Sequence, residues 1–556
     1  MAGRNLGAPT QGPHPAAGLG RRQFLGLMGA AGGMLAVGPS QAQPPKAPFK
    51  VLFNNDSTNL LSCVSPYHAK GDPVTTERIQ AMVDEAAEVD AHLLMPGMGW
   101  APWWPSKVLP LEDHHRWFEA AYGMAPRNAY HDYLLAGGDV VQVFVDRCRE
   151  RGVAPFISFR LNDGHHLEHV DEGAQPWNVQ SLTQFYKDHP EYRIGPDVRN
   201  WNQHVQNWAI PEVRAYKYAF IEELCENYDL DGFELDFMRH CSYFDLDKTT
   251  SEQRRDIMTG FVGQVRKLLD RTAGPGQHRW LSARVPCRLD AHDRLGIDLK
   301  AMAAAGLDMV NLSPYYFTQQ ETDLPAVRAL VPGAAVYLEM THATVVGPAV
   351  GRGYDNFSFR RTTDDQFYTA AHKAYAHGAD GMSLFNFVYY REHGTPGRGP
   401  FGEPPFHIIP RLKDPAWLAR QPQWNYLSDV TNNPSMVERP LKRTVEPGKP
   451  YTFTMTCFPT DHLADGVLRL MTSGDSSGCA WAVKVNGAAL ERTDFVAKPI
   501  EHPHDGGLGQ PEQYACFACP RAAVKKGANA LEVTMTDGDP ATVIYIDLVL
   551  PLAPTA

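Results

Sequence analysis

Residues 228–240 read YDLDGFELDFMRH. Side chains of an extended strand point alternately to opposite faces, so Phe233, Leu235 and Phe237 share one face while Gly232, Glu234 and Asp236 share the other. Such a strand fits a closed barrel, with its apolar face against covering helices and its two carboxylates directed into the barrel mouth. Burying carboxylates is costly unless they are paired or in chemical use. This one strand therefore informs both the fold and the site.

Outward from it, residues 50 to 390 alternate short apolar runs with longer helical patterns, the signature of βαβ units. Strands are predicted at 50–55, 91–95, 154–161, 232–237, 279–285, 308–313, 334–340 and 381–387. The helical pattern at 211–228 opens on Pro211 and Glu212, which suit a first turn, and aligns Val213, Tyr216, Phe220 and Leu224 on one stripe. Eight strand–helix units predict an α/β fold of the (β/α)8 barrel type. A doubly wound sheet would carry a Gly-rich phosphate-binding turn after its first strand. No glycine follows Asn55 until Gly71.

Past residue 430 the character changes. Pro440, Pro447 and Pro450 mark a linker, followed by short alternating runs such as YTFTMTCF and ATVIYIDLVL, with Asn486-Gly487 as a tight-turn signal. The expected organisation is a barrel domain over 47–430 and an all-β sandwich over 437–553.

At the other end, Arg21-Arg22 precede Phe24-Leu25, an apolar Gly/Ala-rich stretch and then Ser40-Gln41-Ala42. This resembles a twin-arginine signal peptide over residues 1–42. Its apolar stretch falls short of the roughly 20 residues that span a bilayer. The expectation is a periplasmic or secreted protein that meets the twin-arginine translocase during export and keeps no membrane anchor in its mature form. A net charge of -11, without a basic tract, excludes the electrostatic footprint of nucleic-acid binding. The nine cysteines are read as one or two disulfides or as buried thiols, because Cys516 and Cys519 lack a nearby second pair.

Polar residues recur at alternate positions near the ends of other strands: Asn54, Arg160, Asn162, Arg284, Asn311, Ser313, Glu339 and Asn386. Glu339, on the seventh strand, can face Asp236 on the fourth across the mouth. Glycosidic cleavage needs two carboxyl groups roughly 5 to 10 Å apart, one to protonate the leaving oxygen and one to attack or to activate water. Asp236 and Glu339 are the predicted pair, with Glu234 a third carboxylate that binds substrate or shifts a neighbour's pKa. The alternative is a buried network in which Glu234 or Asp236 pairs with Arg284 or Arg239. Trp100, Trp103, Trp104, Tyr315, Tyr316, Tyr389 and Tyr390 follow predicted strands and offer flat faces for sugar rings. Arg239, Asp163 and His165 complete the expected binding set. No cofactor is expected, and His165, His166 and His169 are read as substrate hydrogen bonding before a metal site.

The segment NWAIPEVRAYKYAFIEELCENYDLDGFELD, residues 207–236, resembles the glycosyl hydrolase-like ten family of barrels. The resemblance implies that Asp236 holds that family's active-site position. The run also partly resembles the chitinase motif D-G-x-D-x-D-x-E, but Met238 stands where the catalytic Glu would be. VKVNGAAL and VKKGANALEVTM resemble sandwich domains appended to carbohydrate-active barrels. Together these readings imply an exported enzyme acting on a carbohydrate substrate. The rivals are a sugar-binding protein on a degenerate barrel and a metal-dependent hydrolase or lyase.

Overall fold

The computed structural model describes residues 46–57, 60–61, 63–98, 101–126, 128–165, 182–200, 202–345, 359–392, 401–428, 441, 443–496 and 510–554. The expected signal peptide, Trp100, His166 and His169 lie outside them. Eight strands close a barrel: β1 (Val51–Asn55), β2 (Ala91–Leu94), β3 (Ala154–Arg160), β4 (Gly232–Asp236), β5 (Trp280–Pro286), β6 (Met309–Ser313), β7 (Ala335–Thr341) and β8 (Gly381–Phe385). Each pairs in parallel with its sequence neighbours, and β8 returns to β1. This is the predicted (β/α)8 barrel, with every predicted strand in place.

The connecting helices include α1 (Thr76–Asp84), α2 (Val140–Arg151), α3 (Pro211–Asn227), α4 (Ser251–Thr272), α5 (Leu299–Ala304), α6 (Leu324–Leu330) and α7 (Asp364–Ala376). Local signals fix their starts. α3 opens on Pro211, whose missing N–H costs nothing in a first turn. α4 and α7 open with capping boxes, Thr250 with Gln253 and Thr363 with Gln366.

Strand alternation sorts the side chains into layers. Outward residues such as Ile157, Phe233, Leu235, Val310, Leu338 and Leu384 join the helices in one apolar core, which also takes Met238. Inward residues at the base, including Leu52, Leu93, Phe156, Met309 and Tyr337, form a second apolar cluster. A Cβ on Gly232 would lie 2.1 Å from the Phe156 ring, so the packed base requires glycine there. The barrel interior turns polar just above this plug.

The C-terminal region forms two sheets from β9 (Gln423–Leu427), β10 (Arg443–Val445), β11 (Pro450–Cys457), β12 (Gly466–Thr472), β13 (Ala480–Val485), β14 (Ala488–Ala489), β15 (Glu491–Thr493), β16 (Tyr514–Cys519), β17 (Gly527–Asp537) and β18 (Ala541–Leu550). One has the order β9-β18-β12-β16-β15, with β10 also on β18, and the other the order β11-β17-β13-β14. Residues of both, including Leu468, Phe517 and Ile546 from the first and Phe453, Val483 and Leu531 from the second, share one apolar cluster. Asn486 and Gly487 form the expected tight turn between β13 and β14, both at positive φ.

β9 lies upstream of the proline linker yet pairs antiparallel with β18. It also grips the barrel: the Tyr426 hydroxyl donates to Thr318 O at 2.7 Å, and Gln320 Nε2 donates to Trp424 O at 2.8 Å. All nine cysteines are free thiols, eight of them buried. No helix among the described residues is long and apolar enough to cross a membrane.

Candidate active site

The alternation that turns Phe233 and Leu235 outward turns Glu234 and Asp236 inward, into the polar layer. Glu234 is fully buried and accepts from four other strands: Asn54 Nδ2 at 2.5 Å, Ser158 Oγ at 2.7 Å, Ser282 Oγ at 3.2 Å and Asn311 Nδ2 at 3.3 Å. Burial, reinforced by the nearby charge of Asp236, pushes its carboxyl up to about 7.

One residue higher on each strand's inward face, Arg284 organises the layer. Its Nε and Nη2 donate to the two oxygens of Glu339 at 2.6 and 2.7 Å, and Nη1 donates to Asp236 Oδ2 at 3.1 Å. The guanidinium lies 3.8 Å from the Phe385 ring centroid. Ser313 Oγ donates to Glu339 at 2.5 Å, and the Met238 N–H donates to Asp236 at 2.8 Å. Burial holds the Glu339 carboxyl above its ordinary range, against the pull of Arg284 and Ser313. Asp236, Glu339 and Arg284 are each at most 1% exposed. Arg284 thus bridges Asp236 on the fourth strand and Glu339 on the seventh, and its ion pair with Asp236 is one that the buried-network alternative names.

Above this layer the loops after β3 and β4 build a rim. Arg160 donates to Asp163 Oδ2 at 3.0 Å and lies 3.7 Å from Asp56, which accepts from the Tyr389 hydroxyl at 3.1 Å. Asp163 Oδ1 meets His165 Nδ1 at 2.5 Å, and Arg239 Nη2 meets His165 Nε2 at 2.5 Å. Guanidinium can only donate, so Nε2 accepts and Nδ1 carries the proton. Burial opposes the charge of Asp163, but His165, Arg160 and His240 outweigh it and hold the carboxyl well below its ordinary range. Burial lowers the pKa of His165 and, more strongly, of His240. Arg239 Nη1 donates to the Tyr315 hydroxyl at 3.3 Å, and its guanidinium lies 5.3 Å from the Tyr316 ring centroid. His165, Arg239, Tyr315 and Tyr316 are the partly exposed members of this rim.

Other expected binding residues serve packing. Trp103 is buried and stacks on Tyr130 at 4.1 Å between ring centroids. Trp104 is buried too, and its Nε1 donates to Glu223 Oε2 at 2.9 Å, an acceptor shared with Ser106 Oγ, while the Lys107 N–H donates to Glu223 Oε1. Neither indole presents a face to solvent: Trp104 packs on α3, its ring 5.9 Å from that of Phe220, and Trp103 lies against Tyr130. Asn162 spans two loops, donating to Gln206 O at 2.9 Å and Ser242 O at 2.6 Å. Asn386 is buried at left-handed φ 50, where it starts the turn that carries Tyr389. Asp56, His240, Ser158 and Ser282 complete the site without having been expected. Ser158 and Ser282 stand two residues before Arg160 and Arg284, so the same alternation would have found them.

The site therefore defines a (β/α)8 barrel with a buried three-carboxylate, one-arginine core at the C-terminal ends of its strands. No family model matches the chain. Among curated proteins, a 1,4-alpha-glucan branching enzyme of Xanthomonas euvesicatoria pv. vesicatoria is 26% identical over 195 residues, 31% of this chain and 24% of that enzyme. One from Paramagnetospirillum magneticum is 27% identical over 151 residues, 26% of this chain and 18% of that enzyme. The chain spans about a quarter or less of the length of these relatives. Among solved structures, an alpha-L-fucosidase from Bacteroides thetaiotaomicron is 10% identical, covering 91% of this chain and 93% of that one with a TM-score of 0.35. An alpha-amylase from Geobacillus thermoleovorans complexed with acarbose is 13% identical, covering 88% and 99%, with a TM-score of 0.34.

Proposed function

We propose that the chain is an exported glycoside hydrolase that cleaves glycosidic bonds of an oligo- or polysaccharide. The observation that carries the reading is the pairing of Asp236 with Glu339 through Arg284 at the C-terminal end of the barrel, beneath the partly exposed rim of His165, Arg239, Tyr315 and Tyr316. The sequence similarity to glucan branching enzymes, which act on a polysaccharide, supports it. In this scheme Asp236 meets the anomeric carbon, held by the Met238 N–H and Arg284. Glu339 is the opposing carboxyl, held by two Arg284 donors and the Ser313 hydroxyl. Glu234 tunes their charge from below, and the rim aromatics receive the sugar. The two C-terminal sheets act as an accessory sandwich that braces the barrel, and residues 1–42 direct export by the twin-arginine route.

The deciding experiment screens the protein lacking residues 1–42 against a glycan panel beside Asp236→Asn. Hydrolysis by the parent and a loss on the order of 10³-fold or more in the variant, with folding intact, is expected. Equal activity in the variant would remove Asp236 from the chemistry. One observation favours a second reading, sugar binding without turnover: Arg284 already engages both oxygens of Glu339 and lies against both of Asp236. That reading predicts glycan binding with no product.

A further inference from the structure

The loops after β3 and β4 bring together three potential metal ligands, Asp163 and His165 from the first loop and His240 from the second. Asp163 Oδ1 lies 2.5 Å from His165 Nδ1 and 3.8 Å from His240 Nδ1. One ligand atom from each residue falls within 4.8 Å of the other two. The spacing is built into the backbone. Gly164 allows the tight passage, since a Cβ there would lie 2.7 Å from His204 Nε2 and 3.1 Å from His240 Cδ2. The Gly164 N–H donates to His240 Nδ1 at 2.7 Å, and His240 itself sits at left-handed φ 55, unusual for a non-glycine residue. Such strain concentrates at functional sites.

We propose that Asp163, His165 and His240 form a binding site for a divalent transition-metal ion of the zinc class at the barrel mouth. Two imidazoles and one carboxylate match the two-histidine, one-carboxylate sets that leave further positions open for water or substrate. Zinc–ligand bonds of about 2.0 to 2.2 Å set tetrahedral donors roughly 3.4 Å apart, so on loading the 2.5 Å contact between Asp163 and His165 opens and His240 Nδ1 exchanges the Gly164 N–H for the metal. The set differs from the His165, His166 and His169 run that sequence spacing alone suggests. Binding through His165 Nδ1 displaces its proton to Nε2, and Arg239 must then leave Nε2. Metal loading and the position of Arg239 are therefore coupled. The proposal does not depend on the glycosidase reading.

The test uses the full chain without residues 1–42, stripped with EDTA and titrated with Zn²⁺ by calorimetry, with Co²⁺ absorption as a second readout. One equivalent of zinc is expected, with a cobalt spectrum of nitrogen and oxygen ligation. His165→Ala and His240→Ala should each weaken binding at least tenfold, whereas Arg239→Met should strengthen it. His131→Ala serves as control, because His115 Nε2 and His131 Nδ1 form a separate contact at 3.2 Å. Absence of stoichiometric uptake, a cobalt spectrum without nitrogen ligation, or a loss that follows His131 instead would overturn the proposal. None of these readouts requires glycan turnover.

Discussion

Arg284 holds Glu339 with two donors, at 2.6 and 2.7 Å, and reaches Asp236 at 3.1 Å with a third, so a single guanidinium on β5 sets the separation between carboxylates on β4 and β7. Removing it would leave two buried carboxylates without a cation. Arg284→Met should cost about 3–5 kcal/mol of stability, read as a fall in the guanidinium chloride midpoint. Arg284→Lys should recover little, because an ammonium cannot reproduce the fork. An unchanged midpoint in Arg284→Met would mean that the ion pairs add nothing.

Glu234 gives the fold a defined pH dependence. In the folded chain its proton is held up to about pH 7, against 4.5 for the ordinary carboxyl. Between those values the folded state binds more protons than the unfolded one, so this residue's contribution to stability falls as pH rises. At about 1.4 kcal/mol per pH unit, the loss across the window is about 3 kcal/mol. Glu234→Gln removes the titration, so its stability relative to the parent should improve by that amount between pH 4.5 and pH 7.5. Denaturation curves at the two pH values check this, and a pH-independent difference would contradict it.

Glu223 pins the loop after β2 by accepting from the Trp104 indole, the Ser106 hydroxyl and the Lys107 N–H. Glu223→Ala leaves these donors buried or loosely solvated and should cost about 2–4 kcal/mol. Limited proteolysis should then cut between residues 101 and 126 faster than in the parent. A cleavage pattern identical to the parent's would show that the loop is held by other contacts.

Trp103, stacked on Tyr130 inside that loop, distinguishes packing from sugar contact. Trp103→Ala should lose about 3–5 kcal/mol of stability, measured by denaturant titration. A sugar-facing indole would instead leave stability unchanged and weaken only glycan affinity.

The barrel was legible because its signals are local and repeated: eight apolar runs, helices with capping residues, and one strand whose two faces differ as sharply as Phe233 and Leu235 differ from Glu234 and Asp236. The inward carboxylates were legible for the same reason, since period two is a property of the strand itself. The roles of the aromatics were not. Whether Trp104 faces sugar or core depends on where its loop folds, and Glu223, more than a hundred residues later, helps decide that. Asp56 and His240 escaped notice because each is an ordinary residue in sequence and acquires meaning from partners on other loops. The strap at β9 was equally hidden, because five residues before a proline-rich linker read as the end of the barrel.

That strap bears on how such a chain can be rearranged. β9 precedes the linker but supplies the antiparallel partner of residues 546–550 in β18, and its Trp424 indole donates to Asp547 at 3.0 Å. A fragment begun after residue 430 would carry β18 with an open edge and Asp547 short of a donor. The last portion of the chain is thus not a cassette that can be grafted at its apparent linker. A workable breakpoint lies before Gln423, and any graft made there brings along Tyr426, the residue that ties the cassette to the barrel it came from.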